Sequence, residues 1–488
     1  MALSRLVVSA GIAATLLACG KRPEEGTPDT GPAPADACDN LFCSIVDCQS
    51  KGLPPTTVTG RVFAPNGTLP LFGVNVYVPA SDPGPLTPGV QCDRCGNLPG
   101  GAIASTVTDE NGEFRLENVP ATADVPIVIQ SGKWRRQFTL PAVAACQDTA
   151  APVASTTLPK NRTEGDIPHI AITTGNADAL ECLVRKMGID DSEFGTGTED
   201  TAVHLYRGNG VNKFAATHPG GARDFAPAKP FWNTRASLDT YDIVLLSCEG
   251  DQRIDAAGGA TVDINDKPQS SIDALHDYAD VGGRVFMSHW HNVWISGDRR
   301  NPDPNVYGAP DWMSVINWNF GAQQTDSIPQ ITTVDESTLP NPAGVGGLPN
   351  PKGTSFATWL ENVGASGATT TPPTTRNQVA VNAPRYTASS IKDPPQAERW
   401  VYVPTGSAVV GGAGVSSVQD ALFTTPLDVP ADQRCGKVLF SDMHVASGSS
   451  SPSNGAFPNQ CSTADLTPQE KALAFIFFDI SSCVGVLQ

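Results

Sequence analysis

The hydrophobic pattern changes period once along the chain, and no other feature constrains the fold as strongly. From Thr56 to about Leu140, apolar residues alternate in short runs. Val58 and Val62 begin the series, and Val74, Val76 and Val78 continue it. Ile127 to Ile129 and Arg136 to Leu140 complete it. A period of two with frequent turns predicts a small antiparallel β-sandwich over 56–148. From His169 onward, runs of four or five apolar residues stand alone: 169–173, 243–247, 284–288, 400–403 and 437–441. Helical segments separate several of these, which predicts a parallel α/β sheet over 167–488. The Pro- and Thr-rich stretch 149–166 reads as a linker. The fold class is therefore α/β plus all-β.

Local signals refine this outline. Asn111-Gly112 between two alternating runs predicts a hairpin. Asn176 stands before a helical face of Leu180, Leu183, Val184 and Met187 and is read as its cap. Ser270 and Asp273 have capping-box spacing before Ile272, Leu275, Tyr278 and Ala279, and Gly282-Gly283 closes that helix. Thr467, Pro468 and Glu470 predict a capped helix with proline in its first turn. The long stretches 195–236 and 297–350 lack periodicity and are expected to form lids or binding loops.

A formal charge of −18 excludes nucleic acid as a partner, because phosphate binding is driven by Lys and Arg. Leu6 to Leu17 is an apolar run too short to cross a membrane permanently. It ends in Leu16-Leu17-Ala18-Cys19, which resembles a bacterial lipobox. The resemblance implies a signal peptide over 1–19, lipidation of Cys19 and a membrane-anchored envelope protein, with the outer membrane favoured. Residues 20–55 would then be a tether carrying a cysteine cluster. Of the twelve cysteines, those other than Cys19 are odd in number, so at least one lacks an intramolecular partner. In an exported chain the rest imply disulfides. Cys38, Cys43 and Cys48 are expected to pin the tether. Cys92 and Cys95 are expected to staple their loop by disulfides in preference to forming a zinc half-site.

Ligands of open α/β sheets bind just beyond the carboxyl ends of the strands. Three apolar runs place chemistry there: Cys248 after 243–247, His289-Trp290-His291 after 284–288, and Asp442 with His444 after 437–441. On an extended segment His289 and His291 would point the same way. His289, His291 and His444 then form a candidate metal set, for which zinc is suitable though not required. Cys248, His289 and His444 are the candidate catalytic set, and an inert buried thiol is the plainer alternative for Cys248. Trp290, His291, Trp294 and Asp442 are candidate ligand-binding residues, with Trp232 and Trp312 as further aromatic surfaces. Asp263, Asn265 and Asp266, and the acidic loop 298–311, lack EF-hand spacing. A triad of Ser288, His444 and Asp442 would lack the Gly-x-Ser-x-Gly elbow.

Two resemblances rest on motifs. Gly60-Arg61-Val62, Gly73-Val74, Thr108 to Leu116 and Asn118-Val119-Pro120 resemble a carboxypeptidase regulatory-like domain, which implies a transthyretin-like sandwich and an accessory, possibly carbohydrate-binding-like, module. Trp134 with Arg135 and Arg136 is a candidate sugar-stacking or anion-binding patch, with one half-buried aromatic flanked by solvated charges as the plainer alternative. Tyr241 to Cys248, Tyr278 to His289 and Gly436 to His444 resemble a class I glutamine amidotransferase-like domain, closest to the ThuA-like branch. This implies a flavodoxin-like sheet. That family carries its nucleophilic cysteine in a Gly-x-Cys-x-Gly elbow, whereas this chain has Met287-Ser288-His289-Trp290-His291. Amide hydrolysis by that thiolate route is therefore not expected. The leading expectation is a surface protein binding a glycan or other small ligand. The alternative is a metal-dependent or Cys-dependent hydrolase acting on an extracellular sugar or envelope substrate. The sequence does not decide whether the protein is an enzyme.

Overall fold

The computed structural model describes residues 40–96, 98–254, 266–320, 330–337, 347–404, 417–445 and 455–484. Cys19 and the expected signal peptide, Cys38, Asp263 and Asn265 lie outside the described residues. No helix among the described residues is long and apolar enough to cross a membrane.

The first part of the chain supplies β1 (Thr57–Arg61), β2 (Asn75–Pro79), β3 (Ala102–Val107), β4 (Glu113–Glu117), β5 (Ala123–Ser131), β6 (Trp134–Ala142) and β7 (Asp148–Ala150). These strands make two sheets, ordered β4–β1–β7 and β3–β2–β5–β6. The Asn111-Gly112 turn does not close a hairpin. β3 pairs with β2 and β4 with β1, so the turn carries the chain from one sheet to the other. Asp109 Oδ1 accepts the Asn111 and Glu113 N–H groups, both at 2.8 Å, which fixes the local reversal. Thr108 decides the strand partners: its Oγ1 donates to the Leu71 carbonyl and accepts the Val74 N–H. A turn signal reports a reversal, not the strands that pair across it.

The stretch 149–166 packs against this part. β7 pairs in parallel with β1, and single bridges join Phe63 to Thr157 and Arg135 to Asp166.

The remaining strands are β8 (Ile170–Thr173), β9 (Phe194–Gly195), β10 (Val203–Arg207), β11 (Ala226–Pro227), β12 (Ile243–Leu246), β13 (Arg284–Ser288) and β14 (Ile316–Trp318). They continue with β15 (Gln330–Val334), β16 (Gln378–Val381), β17 (Ala388–Ile391), β18 (Glu398–Val403), β19 (Ser417–Thr425) and β20 (Gly436–Ser441). One mixed sheet runs β11–β10–β8–β12–β13–β20–β19–β18–β15–β16, with β9 beside β10. Its pairings are parallel from β11 to β20. Beyond β20 they are antiparallel. The expectation of a parallel sheet thus holds for one half only, and β18, expected there, lies in the other half. The β19–β20 connection, 426–435, is too short for the crossover that a parallel neighbour needs.

Among the described residues, seven α-helices accompany these strands: α1 (Leu180–Lys186), α2 (Ala228–Trp232), α3 (Arg235–Leu238), α4 (Gln269–Asp280), α5 (Val293–Ser296), α6 (Gly353–Asn362) and α7 (Pro468–Ser481). α7 has the predicted Thr467–Glu470 capping box with Pro468 in its first turn. α4 buries Ile272, Leu275, Tyr278 and Ala279 as the period requires, but its N-cap is Pro268 and no side chain caps it. Ser270 Oγ bonds Asn233 instead. α1 begins after Ala179, not at Asn176.

α7 is apolar almost all round and is buried on nearly every face, as that composition demands. Phe475 stacks on Phe72 at 6.0 Å and Phe478 meets Trp134 at 5.9 Å, so the last helix packs on the first sheets. Trp359 of α6 donates to the Pro70 carbonyl at 2.8 Å across the same contact. Leu41–Gln488 accordingly groups as one compact unit.

Disulfides join Cys48 to Cys146, Cys92 to Cys435, Cys95 to Cys483 and Cys182 to Cys461. Cys43 is also disulfide-bonded, and Cys248 is free and buried. Cys92 and Cys95 do staple their loop, each to a partner more than 300 residues away. Loop-closure entropy assigns a bond of that span about 6 kcal/mol, an upper value here because the loops overlap. Alkylation followed by mass mapping should modify Cys248 only on unfolding, and Cys92, Cys95, Cys435 and Cys483 only after reduction. Modification of Cys92 or Cys435 without reductant would contradict the pairing.

Candidate functional site

The carboxyl ends of β8, β12, β13 and β20 converge on one buried polar region. Gly175, just beyond β8, touches the segment after β12 so closely that a Cβ would collide with the Cys248 carbonyl oxygen. The Ala177 N–H donates to that same oxygen at 3.1 Å. Only glycine permits this approach. The chain then turns to Asp178, a buried carboxylate that sequence reasoning passed over. Its Oδ2 accepts Ser288 Oγ–H at 2.5 Å, and its Oδ1 accepts the Val445 and Ala179 N–H groups at 2.7 and 3.0 Å. Burial pushes this acid up to about 6, with Ser288 first among the donors that oppose it.

β13 ends in a sharp elbow. Ser288 is extended, whereas His289 has φ +40° and opens a 3-10 turn over His289–Asn292. Positive φ in a bulky non-glycine residue costs about 1–3 kcal/mol and persists only where the surroundings enforce it. The elbow is thus present without flanking glycines, and it carries a histidine.

That elbow brings His289 against Cys248. Sγ and Nδ1 lie 3.5 Å apart, and His289 Nε2 is buried without a hydrogen-bond partner. The His444 ring is 5.4 Å from the His289 ring. Neither His444 nitrogen makes a well-formed hydrogen bond, although the Ala177 backbone favours its charged form. One ligand atom from each of Cys248, His289 and His444 lies within 4.8 Å of the others. Burial pushes the Cys248 thiol up to about 12. Burial also holds both imidazoles well below the usual histidine range, and the Arg385 charge adds to this.

The direction of these shifts bears on two chemistries open to the cluster. A thiol with a pKa near 12 beside neutral imidazoles is not an activated nucleophile. As ligands, however, a neutral imidazole and a thiol that loses its proton to a metal are suitable donors. Bonds of about 2.3 Å to sulfur and 2.0 Å to nitrogen at a tetrahedral zinc give a sulfur–nitrogen edge of about 3.5 Å. The Cys248–His289 separation equals that edge. The three ligand atoms lie within 4.8 Å of one another, a wider bound than tetrahedral edges of about 3.3–3.5 Å, so sharing one ion would draw the side chains closer.

The structure separates the other sequence candidates from this cluster. His291 was expected beside His289 on an extended segment, but the 3-10 turn points it elsewhere. Its Nδ1 accepts Trp294 Nε1–H at 2.9 Å, and its Nε2 lies 3.6 Å from Glu249 Oε2. Lys267 holds that carboxylate at 2.5 Å. Trp232, Trp294 and Trp312 are each 1% exposed and belong to the core. Trp290 is 9% exposed, with the Arg299 guanidinium 4.7 Å over its ring. Trp134 is buried as well, and Arg135 and Arg136 pair with Asp166 and Glu164. Asp442 Oδ2 accepts the Thr387 and Ala388 N–H groups at 2.8 and 2.9 Å. Ser288 bonds Asp178 and does not build a triad with His444. Asp178 was findable by the strand-end rule applied to β8. Arg385, whose charge reaches the centre, lies in an aperiodic loop that offers no such signal.

Burial pushes Asp420, on the neighbouring β19, up to about 8 against the pull of Ser441. A carboxyl raised in the folded state adds stability at low pH and loses it as pH climbs from its unfolded value, about 4, to its folded one. Denaturant titrations should therefore show Asp420→Asn gaining stability over the wild type as pH rises from about 4 to 8. A constant difference between the two across that window would rule out the shift.

No family model matches the chain, and no curated protein matches it. A solved putative ThuA-like protein from Bacteroides uniformis aligns over 63% of this chain and 88% of its own, at 8% identity and a TM-score of 0.31. Two interface mutants of a type II cohesin–X-dockerin complex from Acetivibrio cellulolyticus align over 30% of this chain and 78% of theirs. They are 18% and 16% identical, each with a TM-score of 0.14. The ThuA-like resemblance of the strand motifs thus has a solved counterpart, but scores this low carry no argument. The candidate site rests on its own geometry.

Proposed function

We propose that this chain is an exported, disulfide-stapled envelope protein that binds a transition metal, zinc by preference, at Cys248, His289 and His444. It acts there as a metal-dependent hydrolase on an extracellular sugar or envelope substrate. The observation that carries this reading is the buried, uncharged thiol–imidazole cluster held by a strained elbow, in which His289 Nε2 and both His444 nitrogens make no well-formed hydrogen bond. Three protein ligands would leave the fourth position of a tetrahedral zinc for water or substrate, and zinc bound there would supply Lewis-acid chemistry. Within the proposal, 56–148 is a carboxypeptidase regulatory-like sandwich and 167–488 an amidotransferase-like, flavodoxin-like unit. The disulfides favour an oxidising compartment. A lipid anchor at Cys19 in the outer membrane remains part of the proposal. A second reading, capture of a glycan or other small ligand without turnover, draws on Trp290, the least buried of the tryptophans around the elbow.

Elemental analysis of residues 38–488, exported to an oxidising compartment and purified without a metal-binding tag, tests the metal. About one equivalent is expected in the wild type and in His291→Ala, with loss in Cys248→Ser and His444→Ala. Cobalt substitution should give a thiolate-to-metal absorption band that Cys248→Ser lacks. No metal after incubation with zinc and dialysis, or loss in His291→Ala alone, would overturn the assignment.

A further inference from the structure

One charged group beside the thiol–imidazole centre makes no close ion pair among the described residues, although Asp178 and Asp442 attract it. Arg385 lies between β16 and β17, in a segment fastened from three sides. The Asn382 N–H donates to Gln469 Oε1 of α7 at 2.8 Å, and Gln469 Nε2 donates to the His444 carbonyl at 2.6 Å. Gln419 Nε2 and Ser417 Oγ of β19 both donate to the Arg385 carbonyl, at 2.7 and 3.2 Å. Thr387 and Ala388 donate to Asp442, next to the His444 turn. The backbone that carries Arg385 is thus tied directly to the residues that carry the site.

The side chain is far less committed. Its guanidinium donates to the Ala383 carbonyl and forms no ion pair with a described carboxylate; burial disfavours its charge, and Asp178 and Asp442 only partly offset this from a distance. The two carboxylates nearest in function are engaged elsewhere. Asp178 accepts from Ser288, Val445 and Ala179, and Asp442 accepts from Thr387 and Ala388. Arg385 is half-buried, whereas Cys248, His289 and His444 are buried. Its charge acts on all three and on both carboxylates. A guanidinium has five donors in a rigid fork that fits an oxyanion, and one partly removed from water without an anion is costly to keep. Such a residue is explained when a ligand brings the missing charge.

We propose that Arg385 is the oxyanion anchor of this site, and that the site takes a small molecule bearing a carboxylate or phosphate group. The anionic group pairs with the guanidinium, and the adjoining part of the molecule faces Cys248, His289 and His444. This rests on the strand-end region being the ligand site, but it does not require metal.

Calorimetric titration of residues 38–488 with malonate and with inorganic phosphate, at constant ionic strength in chloride, tests it. The proteins compared are wild type, Arg385→Gln, Arg385→Lys and Cys248→Ser, each before and after chelation, with folding checked by circular dichroism. At least one probe should bind the wild type and bind Arg385→Gln tenfold or more weakly. Arg385→Lys should be intermediate, and Cys248→Ser should retain binding after chelation. If Arg385→Gln does not fold, a tenfold loss in Arg385→Lys carries the test. Absence of binding to the wild type, or equal binding to both arginine variants, would overturn the proposal. Binding lost in Cys248→Ser but kept in Arg385→Gln would also overturn it while leaving the metal reading intact. Arg385-dependent binding in a protein that takes up no metal would do the reverse.

Discussion

Asp178 fastens three strand ends to one carboxylate. It follows β8, takes a proton donor from the last residue of β13, and takes another from the residue after His444 beyond β20. A buried carboxylate is costly unless several donors face it, so these three segments must keep their mutual positions for the charge to be tolerated. The elbow depends on this arrangement. With Ser288 held, the chain leaves β13 at His289 with a positive φ, and the imidazole meets the thiol at the end of the next strand. Remove the carboxylate, and nothing comparable would hold the strained residue.

The site and the sheet differ in how far the sequence exposes them. Apolar runs in the central strands declared themselves, because burial on both faces confines polar residues such as Arg284, Ser288, Lys437 and Ser441 to the strand ends. Cys248, His289 and His444 followed from the strand-end rule. His291 did not join them, since an i, i+2 argument assumes extended backbone and the chain turns at His289. Aromatic residues misled in a related way. Trp232, Trp294 and Trp312 could serve a ligand or a core equally well by composition, and only packing separates the two. Arg385 and the antiparallel half of the sheet depend on long-range register, which no local period encodes. The Asn111-Gly112 turn failed as a hairpin for the same reason: Thr108, bonded to Leu71 and Val74, overrides it.

The centre combines features that pull in opposite directions. Burial keeps its thiol and imidazoles uncharged, while the Arg385 guanidinium nearby favours negative charge. An uncharged cluster under a positive field is poorly suited to holding protons and well suited to receiving something negative. The same low dielectric that raises the thiol would strengthen any pairing made there.

The bond between Cys95 and Cys483 has a consequence for how the molecule withstands proteolysis. It closes 95–483 into a covalent ring, and Cys92–Cys435 and Cys182–Cys461 add cross-braces. A protease that cuts one loop within that ring opens it but releases no fragment, since both sides of the cut stay joined through sulfur. Local damage would therefore leave the sheet assembled and the strand ends in place, and loss of parts would require reduction or a second cut.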